Sequence, residues 1–221
     1  MGWTDDEAGE TMPPVDEFLP AGWTVQEGRG IALVIAGPSG AGKSSVIAEV
    51  LRRDPALAFS VSATTRPRRP EEVDGRDYSF VSEEAFDRMI EEGALIEWTT
   101  YGGHRYGTPW AEVAGRLAAG QDLLINVEVQ GARALRRSAL PHPVVLVFMV
   151  PPSRDELARR IRARGTESDE ALARRLAVAD EEIRAIPEFD YLVVNDTLEE
   201  AVARVEAILA AERARIVRCS P

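Results

Sequence analysis

The chain has 221 residues, 45% of them hydrophobic, and a net charge of −11. That suffices for one compact domain carrying mobile subdomains. The longest apolar runs, such as Val144–Val150, are far too short to span a bilayer, and the acidic balance disfavours general binding of nucleic acid or anionic membrane. The single cysteine, Cys219, excludes an intramolecular disulfide and any cysteine-built metal cluster. With no basic start followed by an apolar stretch, no secretion signal is expected, and a cytoplasmic protein fits both features.

Residues 1–29 hold seven acids against one arginine, six of the eleven excess negative charges. Mixed with Gly and Pro, they predict a flexible extension outside the fold; a short arm docking through Trp3 and Trp23 is the alternative. Ile31–Ala36 is a continuous apolar run, as expected of a strand buried on both faces. Gly37–Gly42 predicts a turn and Lys43–Arg53 a helix. Further strands are expected at Ala58–Ser62, Leu123–Val129, Val144–Val150 and Tyr191–Val194. Helical patterns fall at Trp110–Ala119, Glu156–Arg164, Glu170–Ile186 and Leu198–Ile216. Strands alternating with helices predict a mainly parallel α/β sheet. Two segments break the rhythm: 61–111, rich in Arg and Glu with short strands and turns, and 154–175, helical and arginine-rich. Both are expected to project from the sheet's C-terminal edge, where open α/β sheets bind ligands.

The turn reads Gly37-Pro38-Ser39-Gly40-Ala41-Gly42-Lys43-Ser44 and satisfies G-x-x-x-x-G-K-[ST]. Gly40 and Gly42 let the backbone curl so that its N–H groups face inward, and the following helix adds the positive end of its dipole. Lys43 can reach β- and γ-phosphates, Ser44 can ligate Mg²⁺, and the stretch from Gly37 through Ser45 is expected to bind ATP. Of 26 basic residues Lys43 is the only lysine, which marks a position where a compact charge on a slim stem is needed rather than a planar fork. A P-loop NTPase-type parallel sheet core flanked by helices is therefore the expected fold.

Beyond the loop come Ser60-Val-Ser62-Ala-Thr-Thr-Arg66-Pro-Arg-Arg69, Glu72-Val-Asp-Gly-Arg-Asp-Tyr78-Ser-Phe, Leu95-Ile-Glu97-Trp98 and Tyr106-Gly-Thr108. Later stand Val129-Gln-Gly131-Ala, Pro151-Pro-Ser153, Arg160–Arg164 and Phe189-Asp-Tyr-Leu-Val-Val-Asn195. In order and spacing, over about residues 30–210, these resemble the guanylate kinase family. The resemblance implies ATP, as Mg-ATP, and GMP as substrates, with inserted GMP-binding (61–111) and lid (154–175) subdomains on a core of 30–60, 112–153 and 176–221. It implies that Arg66, Arg69, Tyr78 and Tyr106 hold the GMP phosphate, with Glu72 and Thr108 in the same site. Ser62, Glu97 and Glu128 would meet guanine. The chemistry fits: guanidinium forks suit phosphate oxygens, and a carboxylate accepts from guanine N1–H and N2–H₂ together, a pair adenine lacks. A solvated surface run for Arg66–Arg69, packing roles for the tyrosines and an outward surface Glu97 are the plainer alternatives.

The resemblance further implies that Arg160, Arg164 and Arg175 reach the transferring phosphoryl group, and that Asn195 contacts adenine. Departures from the family pattern are Asn126 and Glu128, where acids and Asp are usual, Arg68 for Pro, Glu71 for Gly, and Arg105 for an aromatic. A phosphate monoester is largely ionised at pH 7, so direct in-line attack needs no general base, consistent with only two histidines, His104 and His142. A kinase with another acceptor and a non-catalytic interaction module remain the rival readings. Oligomeric state is left open.

Overall fold

The computed structural model describes residues 18–163 and 169–218. Arg164, Cys219 and residues 1–17, Trp3 among them, lie outside the described residues.

The central sheet has five parallel strands: β2 (Ala32–Ala36), β3 (Ala58–Phe59), β8 (Leu123–Asn126), β9 (Val144–Val150) and β10 (Tyr191–Val194), in the order β10-β9-β2-β8-β3. Every residue of β2 is fully buried. Leu33 and Ile35 pack on one side with Val46 and Val50 of α1 (Lys43–Arg53) and Val202, Val205 and Leu209 of α7 (Leu198–Arg213). Ala32, Val34 and Ala36 pack on the other with Val113 and Leu117 of α3 (Trp110–Ala118) and Leu135 of α4 (Val129–Arg137). This two-faced burial is the reason the sequence of β2 shows no polar alternation. The order reverses beside β2, with β8 and β3 on one side and β9 and β10 on the other, so the crevice at its carboxyl end is the expected ligand position.

A second sheet, in the order β5-β4-β7-β6, comprises β4 (Ala63–Thr64), β5 (Ser79–Phe80), β6 (Leu95–Tyr101) and β7 (His104–Pro109). It carries α2 (Glu83–Glu91), capped by Ser82, whose hydroxyl accepts from Ala85 N at 3.1 Å. α5 (Arg154–Ala163) and α6 (Asp169–Ile183) share a small core of Leu157, Ile161, Leu172 and Ala179.

Several boundaries differ from expectation. The strand expected at Leu123–Val129 ends at Asn126, and a helix begins at Val129 with Glu128 as its N-cap; Val127 and Val129 are both buried, so apolar continuity hid the break. The strand expected at Ala58–Ser62 shortens to two residues. α5 starts earlier than expected because the Ser153 hydroxyl accepts from Glu156 N at 3.1 Å. α2 was not anticipated, although Ser82 and the Phe86, Met89, Ile90 spacing announce it. The expectation of flexibility across 1–29 is corrected for part of that span. Trp23–Val25 forms β1, antiparallel to β11 (Ile216–Arg218), and buried Gln26 donates its N–H to Arg215 O at 2.9 Å. These backbone hydrogen bonds, with Arg218 stacked over Trp23 at 5.3 Å, hold that stretch on the body.

Candidate active site

The phosphate loop joins β2 to α1. Gly37, Gly40 and Gly42 have φ of 143°, 94° and 87°, a region that favours glycine. A Cβ on Gly37 would lie 2.1 Å from Met149 O, so the loop passes β9 too closely for any side chain. Ala41 N donates to Pro38 O at 3.0 Å, closing the turn. Lys43 Nζ arches back to donate to Gly37 O, which poises the ammonium across the loop. The first turn of α1 contains no acid, so its N–H groups meet no local rival for an anion. Ser44 and Ser45 stand exposed on that turn.

Five expected acceptor residues meet in one cavity of about 180 Å³: Ser62, Tyr78, Glu97, Tyr106 and Glu128, with Asn126 beside them. They come from five separated stretches of chain. Glu97 is aimed by a β-bulge. Leu95 pairs with Pro109, but Glu97 pairs with Thr108, so β6 carries one extra residue between them. The fully buried Thr108 donates from Oγ1 to Glu97 Oε1 at 2.6 Å, fixing the carboxylate rather than meeting the ligand alone. Gly131 opens the room behind it, since a Cβ there would sit 3.0 Å from Glu97 Oε2. Burial holds the Glu97 carboxyl above its usual range, the Thr108 hydrogen bond working against this and the nearby Glu128 charge adding to it.

An adjoining cavity is lined by Arg66, Arg69, Tyr78, Tyr106, Asn126 and Ser44 of the phosphate loop. Tyr78, Tyr106 and Asn126 border both spaces, so the carboxylate end and the phosphate loop face one continuous crevice. Arg66 is prepared for an anion. Its side chain is 12% exposed, Nη2 donates to Glu72 Oε1 at 2.7 Å, and the guanidinium lies 5.5 Å and 5.6 Å from the Tyr78 and Phe80 ring centres. Glu72 also accepts from Arg69 N at 2.9 Å. The Arg66 guanidinium holds its carboxyl below the usual range. Glu72 thus organises the two arginines. Arg69 leaves its side chain 64% exposed on the cavity wall. Burial pushes the Tyr78 phenol up, so it stays a hydroxyl donor at neutral pH. Arg105, one of the departures, pairs with Glu83 and Asp87 and stacks 4.8 Å from the Phe86 ring; it braces α2. Arg68 Nη1 donates to Glu72 O at 2.7 Å.

Helices α5 and α6 flank the loop. A Cβ on Gly40 would meet Ile161 Cγ1 at 3.1 Å and Leu157 Cδ1 at 3.2 Å, so α5 rests its apolar side there. Arg160 donates to Glu156 Oε1 at 2.6 Å and to Asn195 O at 3.1 Å. Arg175 lines a hollow with Ser39, Glu128 and Glu182. Glu182 is pushed up to about 7, by burial first and then by the Glu128 carboxylate it hydrogen-bonds, with Lys43 pulling the other way. Nothing in the sequence marks Glu182, which stands in a run of acids on a helix; packing alone brings it to Glu128. Asn126 and Gly131 were legible only as members of motifs.

Fold and crevice together define the class: a P-loop phosphotransferase architecture, with the glycine-rich loop facing a cluster of arginines, tyrosines and carboxylates. Residues 29–212 match the family model for guanylate kinase. A guanylate kinase of Sphingopyxis alaskensis is 49% identical over 185 residues, 84% of each chain. One from Thermus thermophilus is 50% identical over 187 residues, covering 85% of this chain and 84% of its own. A crystal structure of guanylate kinase from Anaplasma phagocytophilum superposes with a TM-score of 0.70 at 33% identity, covering 86% of this chain and 89% of that one. The chain belongs to the guanylate kinase family.

Proposed function

We propose that the chain transfers the γ-phosphoryl group of ATP to GMP, and to dGMP, giving ADP and GDP or dGDP. One observation carries this reading: Ser44 of the phosphate loop shares a cavity with Arg66, Arg69, Tyr78 and Tyr106, and that cavity shares Tyr78, Tyr106 and Asn126 with the Glu97 pocket. A nucleotide monophosphate laid along it sets its base against Glu97 and its phosphate towards the loop. A buried carboxylate fixed by Thr108 selects a base presenting two adjacent donors. Rejection of other bases is strong, because they leave buried polar groups unpaired.

The loop N–H groups and Lys43 hold the donor's phosphate tail. Arg66 and Arg69 neutralise the acceptor and bring its phosphate oxygen into line. Arg160, Arg164 and Arg175 take the charge of the group in flight. Among the described residues no group of three His, Cys, Asp or Glu side chains is arranged for a metal. The Ser44 hydroxyl, exposed on the first turn of α1, is the side chain that would hold Mg²⁺, an ion that is commonly bound through few protein ligands together with substrate phosphates. When bound there, the ion would offset the charge of the donor's phosphates. Segments 61–111 and 154–175 act as the GMP-binding and lid subdomains, closing to exclude water. No helix among the described residues is long and apolar enough to cross a membrane; the proposed substrates are small molecules and the proposed place of action is the cytoplasm.

An ADP-release assay with ATP against GMP, dGMP, AMP, CMP, UMP and ribose phosphates tests this. GMP and dGMP are expected to be preferred by at least about 100-fold; equal turnover of AMP would overturn the assignment of the acceptor.

A further inference from the structure

Asn195 follows β10 and is 6% exposed. Its N–H donates to Val150 O at 2.7 Å, extending the pairing of β10 with β9 by one step. Its side-chain Nδ2 turns to the phosphate loop and donates to Ala41 O at 2.8 Å. Its own carbonyl accepts from Arg160 Nη2 at 3.1 Å. One residue therefore ties together the sheet edge, the phosphate loop and an arginine of the lid. The approach is close: a Cβ on Gly42 would fall 2.3 Å from Nδ2. Gly42 is thus required for a second reason besides its positive φ.

A planar trans peptide points its C=O and N–H in opposite directions, and the described residues contain no cis bond. Holding Ala41 O towards Asn195 therefore turns the Gly42 N–H away from it. We propose that Asn195 is a positioning residue for the phosphate loop: by fixing the Ala41–Gly42 peptide it presents the Gly42 N–H to the donor's phosphates. The reading rests on the loop being the donor-phosphate site, as argued above, but it departs from the family-based expectation that Asn195 contacts adenine. Because this role acts through the backbone of the loop and not on the base, it serves every triphosphate alike.

Binding decides between the two roles without any turnover. The dissociation constants of ATP and of inorganic triphosphate, each with Mg²⁺, are measured by calorimetry for the wild type and for Asn195→Ala. The positioning role predicts that both weaken by the same factor, about 10-fold for one lost orienting hydrogen bond. Weakening of ATP alone, or no weakening of inorganic triphosphate, would overturn it. Asn195→Leu keeps the side chain's approximate size and removes its donors without adding a charge beside the phosphates, so it carries the same measurement should the alanine variant fail to fold. A melting curve without ligand checks that each variant is intact. GMP takes no part in these titrations, so they stand even if the wild type proves to phosphorylate a different acceptor.

Discussion

The two halves of the crevice are built in opposite ways. The proposed donor side is one stretch of chain, Gly37 to Ser45, whose groups are mostly backbone N–H and one ammonium. The proposed acceptor side is drawn from five stretches spread over Ser62 to Glu128, and its chemistry lies in side chains. A backbone cradle is fixed by turn geometry and by glycine, and it holds any polyphosphate. A side-chain cavity is fixed by packing, and it can choose between bases. Affinity for the donor and choice of acceptor should therefore fail independently.

The largest test of that independence is Lys43→Met. Removing the ammonium is expected to lower kcat by more than about 1000-fold with every acceptor, with circular dichroism unchanged. Retained turnover would take Lys43 out of the donor site. Glu97→Gln strikes the other half. It should lower kcat/KM for GMP by about 100-fold while leaving the dissociation constant of ATP as it was. A matching loss of ATP affinity would show that the halves are not separable.

The Glu128–Glu182 pair is where they touch, and there the comparison can be sharpened by pH. The folded chain holds the Glu182 proton up to about 7, by burial and by the Glu128 carboxylate, whereas an exposed glutamate carboxyl releases it near 4.5. Between these values the folded state binds more protons than the unfolded one, so stability falls as pH rises through that window and levels off above it. Lys43, the cation facing the pair, limits the effect. Glu182→Gln is expected to flatten this dependence and raise stability at pH 8 by on the order of 1 kcal/mol, after discounting for solvent screening. Denaturant melts at pH 5 and pH 8 measure it, and an unchanged slope would mean that the pair does not share a proton.

The smallest effect lies outside both halves. Ser60 Oγ is the buried side-chain atom without a hydrogen-bond partner among the described residues. Ser60→Ala should leave KM for GMP alone and leave stability unchanged or higher by up to about 0.5 kcal/mol. A clear loss of stability would mean that the hydroxyl has found a partner.

The legibility of the sequence follows the same division. Strands β2, β9 and β10 and helix α1 could be read because their patterns are local and two-faced burial leaves unbroken apolar runs. The donor side could be read for the same reason, as its glycines and Lys43 are consecutive. The acceptor residues were named through resemblance, and the structure adds contacts that the sequence did not show: Glu72 organises Arg66 and Arg69, and Thr108 fixes Glu97; Arg105, read only as a departure from the family pattern, braces α2. Helix α4 was missed because Val127 and Val129 carry a buried apolar run across a helix start.

By itself, then, the sequence determined a parallel α/β core and a phosphate cradle, since both depend on neighbours within a few residues along the chain. The tertiary structure alone decided that a bulge at Leu95–Glu97 aims one carboxylate, that Gly131 makes room for it, that Glu182 meets Glu128, and that Asn195 grips Ala41. Those contacts join residues far apart in the chain, and packing rather than local propensity selects which polar groups become partners.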